Sequence, residues 1–79
     1  MQTLQGSFNE HKIKCDSLHT KFVEYGENIF DDRFRQLSYD FTKVDFLRIE
    51  YEKTGDKRYA LEYIHNVQKL EDGIRHVLG

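Results

Sequence analysis

Residues 51–63 read YEKTGDKRYALEY, and this stretch decides the fold because two different structures are compatible with it. Read locally, it is the tip of a β-hairpin, since apolar residues alternate with polar ones on both sides of the turn sequence KTGD. Read as a helical corner, Gly55 ends one helix and Asp56 caps the next. The periodicity of the flanking sequence has to choose between these two readings.

Apolar residues recur at steps of three and four over the whole chain, which is typical of helices. Before the corner they are Phe30, Phe34, Leu37, Phe41, Val44, Leu47 and Tyr51. After it they are Ala60, Tyr63, Val67, Leu70, Ile74 and Val77. The N-terminal third repeats the pattern with Leu4, Phe8, His11, Cys15, Leu18, Phe22 and Tyr25. Three long stripes outweigh one pair of short alternating segments, and no proline interrupts them. The sequence therefore predicts an all-α fold.

Capping residues set the expected ends of these helices. Ser7 with Glu10 forms a candidate capping box for the first helix, and Asn28 or Asp31 is a candidate cap for the second. The predicted helices cover about residues 7–25, 29–53 and 57–78. Short loops between helices of similar length predict antiparallel neighbours in a three-helix bundle, or a helical hairpin plus an N-terminal helix. The 79 residues suffice for a single small domain, 1–79.

Residues 44–67 also resemble one tetratricopeptide repeat. The stretch LRIEYEKTGDKRYALEY carries the register of that repeat at Leu47, Tyr51, Gly55, Asp56 and Ala60. It departs from the family at Arg48 and Val67, where the repeat has small residues. A single repeat cannot bury its own apolar face, so the resemblance implies a helix–turn–helix at this corner and nothing further.

The second helix carries a second set of apolar residues. At 100° per residue, Tyr39 and Phe46 lie almost opposite its main stripe, and Ile49 lies beside them. One interpretation makes this the central helix, buried on both sides by the other two. The other interpretation makes Tyr39, Phe46 and Ile49 an exposed partner-binding surface, for a second copy of the chain or for another protein.

The strongest pattern for chemistry is His11, Cys15 and His19, which share one helix face at four-residue spacing. A metal site there needs a further ligand from elsewhere, and the competing interpretation is a core cysteine flanked by two histidines. Cys15 lies on a core stripe, where thiols are usually inert, so catalysis by it is disfavoured. We expect no catalytic site, metal or cofactor, and metal or small-ligand binding through these three residues remains an alternative.

Charge and composition exclude other classes. The 12 basic and 14 acidic residues are interleaved and give a net charge of −2, which lacks the positive field of a nucleic-acid-binding protein. A nucleic-acid-binding regulator is therefore kept only as an alternative, using the basic residues Lys57, Arg58, Lys69 and Arg75. No stretch resembles a signal peptide or a membrane span. Cys15 is the only cysteine, so no intramolecular disulfide forms and a reducing, cytoplasmic location is expected.

The expected function is that of a non-enzymatic protein–protein interaction module. Small size, many aromatic residues and a second apolar face favour a soluble helical regulator, acting as an adaptor, an inhibitor or a chaperone of a larger partner protein. Self-association into a homo-oligomer is also expected, because symmetric homo-oligomers are the commonest assemblies.

Overall fold

A computed structural model describes residues 3–26 and 32–78, with side chains except at positions 25, 26, 33, 34, 77 and 78. Within these ranges the chain forms three α-helices and no strand: α1 (Leu4–Gly26), α2 (Asp32–Thr54) and α3 (Lys57–Leu78). The predicted all-α, three-helix fold is confirmed. The predicted end of α2 and both ends of α3 agree to within one residue. The predicted start of the second helix at residue 29, and its candidate caps Asn28 and Asp31, lie outside the described residues.

The first helix begins three residues earlier than predicted. Thr3 is its N-cap, because the Thr3 hydroxyl accepts a hydrogen bond from the Gly6 N–H at 3.0 Å. The Ser7 N–H donates to the Thr3 carbonyl at 3.0 Å and is therefore already inside the first turn. The predicted capping box at Ser7 is wrong. The extra turn also lets Leu4 pack against the core.

The corner between α2 and α3 has the predicted geometry. Gly55 has a φ of 73°, in the left-handed region that favours glycine, and its N–H donates to the Tyr51 carbonyl at 2.7 Å. Asp56 then caps α3, because its Oδ1 accepts a hydrogen bond from the Arg58 N–H at 3.0 Å. Two residues thus reverse the chain and hold α2 and α3 side by side.

All three helices contribute to one hydrophobic core, and every buried residue lies on a predicted stripe. The buried residues are Phe8, Leu18, Phe22, Leu37, Phe41, Val44, Leu47, Ala60, Tyr63, Val67, Leu70 and Ile74. Apart from Ala60, burial of each of these side chains contributes about 1.5–3 kcal/mol before the entropy cost of folding. The stripe positions 25, 30, 34 and 77 have no described side chains.

The central helix is α3. It packs along both α1 and α2, whereas the backbones of α1 and α2 barely approach each other. The interpretation that placed α2 between the other two is therefore wrong. The reason lies in side-chain size, since α3 presents Ala60 and Val67, both fully buried, and Gly73. A β-carbon at Gly73 would lie only 3.1 Å from Leu37 Cδ2, so α2 and α3 come very close there.

Aromatic side chains hold α1 and α2 apart while connecting them. The rings of Phe8 and Tyr51 meet with centroids 4.5 Å apart, and those of Phe22 and Phe41 meet at 5.0 Å. The Cα trace measures 38 × 23 × 15 Å. A closed triangular bundle would be about 12–15 Å across in both short directions, so α1 and α2 are splayed on α3.

None of the helices, over the residues described, is both long and apolar enough to cross a bilayer.

Candidate functional site

The outer face of α2 carries the three residues predicted to bind a partner. Tyr39 is 70% exposed, Phe46 58% and Ile49 46%. They are exposed because the opposite face of α2, with Phe41, Val44 and Leu47 among its residues, is the one that packs into the core. We call Tyr39, Phe46 and Ile49 the outer α2 face. The structure places them together at the surface, and their binding of a partner stays a prediction.

The outer α2 face is a compact apolar strip. Tyr39 and Ile49 are ten residues apart, so the strip extends about 15 Å along the helix. Arg35 and Lys53, both exposed, lie in line beyond its two ends. An apolar centre with polar ends is the usual arrangement of a protein-binding surface.

Three other large apolar residues are exposed, but each lies by itself. Ile13 and Val23 are ten residues apart on α1 with no exposed large apolar residue between them, and Leu61 is on α3, at 72%, 50% and 57% exposure. Scattered exposed apolar residues are common on folded proteins and need no function. Within the described part of the chain, only α2 gathers three such residues on one face.

A groove between α1 and α2 is a second feature, and sequence reasoning missed it. Its volume is about 580 Å³, and it exists because the two helices are splayed. The residues that line it are Lys12, Cys15, Asp16, His19, Phe22, Ser38, Phe41, Thr42, Val44, Asp45, Arg48 and Tyr63. Each of these belongs to a predicted helix, but helical periodicity carries no information on how far apart two helices lie.

Ion pairs close one end of this groove. Lys12 Nζ on α1 lies 2.8 Å from Glu52 Oε1 on α2, and Arg48 contacts Glu52 at 3.1 Å and Asp45 at 2.9 Å. The hydrogen bond from Lys12 lowers the pKa of Glu52, and the one to Asp45 raises the pKa of Arg48. These side chains are partly or largely exposed, so the pairs contribute little stability individually. They do fix the spacing of α1 and α2 beside the groove.

The thiol of Cys15 lies in the groove and is not activated. Burial raises its pKa, and the hydrogen bond with the Tyr63 hydroxyl offsets this effect only in part. Burial likewise raises the pKa of Tyr63, which is 2% exposed. A thiol with a raised pKa is protonated at neutral pH and is a poor nucleophile.

His11, Cys15 and His19 do not converge on a common point. The Nδ1 of His11 donates a hydrogen bond to the Ser7 carbonyl at 2.7 Å, so this ring is directed back along α1. The ring of His19 packs edge-on against Phe41, with centroids 5.1 Å apart. Over the residues that the structure describes, no three His, Cys, Asp or Glu side chains are close enough to share a metal ion. The geometry gives the metal alternative no support.

The basic residues of α3 do not form one positive surface. Arg58 pairs with Asp56 at 3.0 Å, and Arg75 pairs with Glu71 at 3.1 Å. Lys57 lies on the same side of α3 as Arg75 but 18 residues away, about 27 Å along the axis. This arrangement does not favour the nucleic-acid alternative.

Comparison with protein-family models, with curated proteins and with solved structures gave no match. The resemblance of residues 44–67 to a tetratricopeptide repeat therefore has no support from a family model.

Proposed function

We propose that this protein is a non-enzymatic protein–protein interaction module that binds through the outer α2 face. In this role it is a small helical regulator, acting on a larger partner as an adaptor, an inhibitor or a chaperone. One observation carries the proposal: Tyr39, Phe46 and Ile49 are exposed on one face of a helix whose other face is fully packed. Large apolar residues that are grouped and exposed in this way usually mark a protein-binding surface.

The size of the surface indicates what the partner must provide. Covering the exposed parts of these three side chains contributes roughly 3–5 kcal/mol through apolar burial. Association costs at least about 4 kcal/mol in lost translational and rotational freedom, so this gain alone does not give stable binding. The partner must therefore bury apolar surface of its own against the outer α2 face.

The proposal includes a cytoplasmic location and excludes catalysis. The cytoplasmic location is supported by Cys15 being the only cysteine of the chain. The exclusion of catalysis is supported by the raised pKa of that thiol, the strongest candidate nucleophile in the sequence.

The test is an affinity pull-down from the native host with the wild-type protein, Phe46→Asp and Ile13→Asp. Ile13→Asp is the matched control, because it places the same charge at an apolar position of another helix that is even more exposed than Phe46. Circular dichroism first checks that both variants are helical, as expected from their exposure.

We expect the wild type and Ile13→Asp to retain the same bound protein, and Phe46→Asp to lose it. Retention of that protein by a folded Phe46→Asp variant would show that the outer α2 face is not the binding surface.

A further inference from the structure

The outer α2 face is part of a longer seven-residue repeat. In order, the residues of this line are Arg35, Tyr39, Thr42, Phe46, Ile49 and Lys53, at alternating steps of four and three. All six are exposed. Positions at this spacing form the seam along which two helices pair side by side, and three of the six positions here are apolar.

We propose that Phe46 and Ile49 of the outer α2 face pair with the same residues of a second copy, the two α2 helices running antiparallel with Lys43 of each copy opposite Glu50 of the other. This inference rests on the proposed function, because it assigns the partner of the same surface. In this arrangement Phe46 of each copy packs against Ile49 of the other. The two apolar contacts lie on either side of the symmetry axis.

Lys43 and Glu50 carry the charge argument. They flank the seam on the same side and are two turns apart on α2. Neither has an ion-pair partner within the described part of the chain, and the same is true of Arg35 and Lys53 on the seam. When the second helix runs in the opposite direction, Lys43 of each copy meets Glu50 of the other, so the two charges beside the seam attract each other across the pair.

Other arrangements of the same seam are unfavourable. A parallel pair places Asp45 of one copy beside Glu50 of the other, which is a like-charge contact. An antiparallel pair displaced by one repeat places Lys43 opposite Lys43, or Glu50 opposite Glu50, depending on the direction of the shift. Of these arrangements, only the proposed one places Lys43 opposite Glu50, and this attractive pair is what favours its direction and register.

The opposite flank of the seam brings Asp45 of one copy towards Glu52 of the other. Arg48 already contacts both of these carboxylates within its own chain, at 2.9 Å and 3.1 Å, and Lys12 contacts Glu52 at 2.8 Å. These cations supply the counter-charge on that flank. The net electrostatic preference thus comes from Lys43 and Glu50.

The overlap of the two helices is short. Residues 41–54 of α2, about 21 Å of helix, face the second copy in this register, so Phe46 and Ile49 are covered whereas Tyr39 lies beyond the overlap. Interfaces of less than about 1,200 Å² are usually weak or transient, so we expect a dissociation constant in the micromolar range.

The experiment is sedimentation equilibrium over a range of concentrations, with the wild type, Phe46→Asp, Lys43→Glu, Glu50→Lys and the double variant that carries both charge changes. Each single change replaces two attractive pairs with two like-charge pairs, so we expect dimer affinity to fall about tenfold or more. The double variant restores opposite charges and returns to within about threefold of the wild type. Lys69→Glu, at an exposed position of α3, is the matched control and leaves the affinity unchanged.

Salt provides an independent check. In about 1 M sodium chloride the Debye length is about 3 Å, and the difference between the single variants and the wild type shrinks. Circular dichroism of every variant confirms that a loss of affinity is not a loss of folding.

Each possible result separates the dimer from the proposed function. If the wild type stays monomeric at all concentrations in sedimentation, the dimer is overturned. The proposed function is still supported in that case if Phe46→Asp loses a different bound protein in the pull-down. If Phe46→Asp abolishes the dimer but Lys43→Glu and Glu50→Lys leave its affinity unchanged, only the antiparallel register is overturned. A dimer that survives in folded Phe46→Asp overturns the inference, because the contact then lies elsewhere.

Discussion

Replacing Gly73 with alanine tests how closely α2 and α3 approach each other. The added β-carbon gains about 1 kcal/mol in helix propensity. It would also lie 3.1 Å from Leu37 Cδ2, closer than the optimum of about 3.5–4.0 Å between carbon atoms. Leu37 is 6% exposed and has little space into which to move, and crowding of this kind costs about 1–3 kcal/mol when the neighbour cannot yield. We expect the crowding to match or exceed the gain, so the free energy of unfolding stays the same or falls by up to about 2 kcal/mol.

The offset becomes visible when the opposing methyl group is removed. Leu37→Val shortens the side chain so that Cδ2 is absent, at a cost of about 1 kcal/mol by itself. In that background we expect Gly73→Ala to raise the free energy of unfolding by about 1 kcal/mol. The coupling energy of the double-mutant cycle is then at least about 1 kcal/mol.

The assay is urea denaturation of the four proteins, followed by far-ultraviolet circular dichroism. The dependence of the free energy on urea should be the same for all four, which shows that they unfold from equally compact states. An equal effect of Gly73→Ala in both backgrounds would refute the reasoning, because Leu37 would then not oppose the alanine.

Two further predictions concern the corner and the ion pairs. Gly55→Ala should lower the free energy of unfolding by about 1–2 kcal/mol, because a β-carbon is strained at positive φ and no atom lies within 4 Å of it to compensate. Gly55→Asn should lose less in the same urea titration, and equal losses would contradict this account. Hydrogen bonds from Lys12 and Lys14 lower the pKa values of Glu52 and Glu71 from their ordinary value of 4.5. These pairs therefore stabilise the fold at pH values above 4.5, and the stabilisation is lost as the pH falls through the lowered pKa values. Lys12→Met should therefore make the free energy of unfolding fall less steeply as the pH is lowered below 4.5. An unchanged pH dependence would show that the pair between Lys12 and Glu52 does not contribute to stability.

The secondary structure was predictable from the sequence because its signals are local. Gly55 and Asp56 act through their own backbone geometry, so the corner and the start of α3 were predicted correctly. The start of α1 was missed because two residues compete as the cap. Ser7 with Glu10 is the better sequence motif, but capping at Thr3 adds a turn on which Leu4 reaches the core.

The order of the helices in space was not predictable in this way. Helical periodicity identifies which face of a helix is apolar, but it does not identify the helix on which that face packs. The small residues Ala60 and Gly73 admit two neighbours to α3, whereas the rings of Phe22 and Phe41 separate α1 from α2. The groove follows from this difference in side-chain size between faces, and for that reason it has no sequence motif.

The central position of α3 also has a consequence for the order of folding. Its contacts with α2 are local in the chain, since only Gly55 and Asp56 separate the two helices. Its contacts with α1 close a much larger loop that includes the whole of α2, and this has a greater entropy cost. We therefore expect the α2–α3 pair to form first and α1 to dock onto it, so that α1 is also the helix that detaches at the lowest free energy. Detachment of α1 would uncover Tyr63, whose ring packs on Phe8 at 4.9 Å, but it would leave Tyr39, Phe46 and Ile49 in place on α2, so the apolar part of the outer α2 face stays available when the core opens.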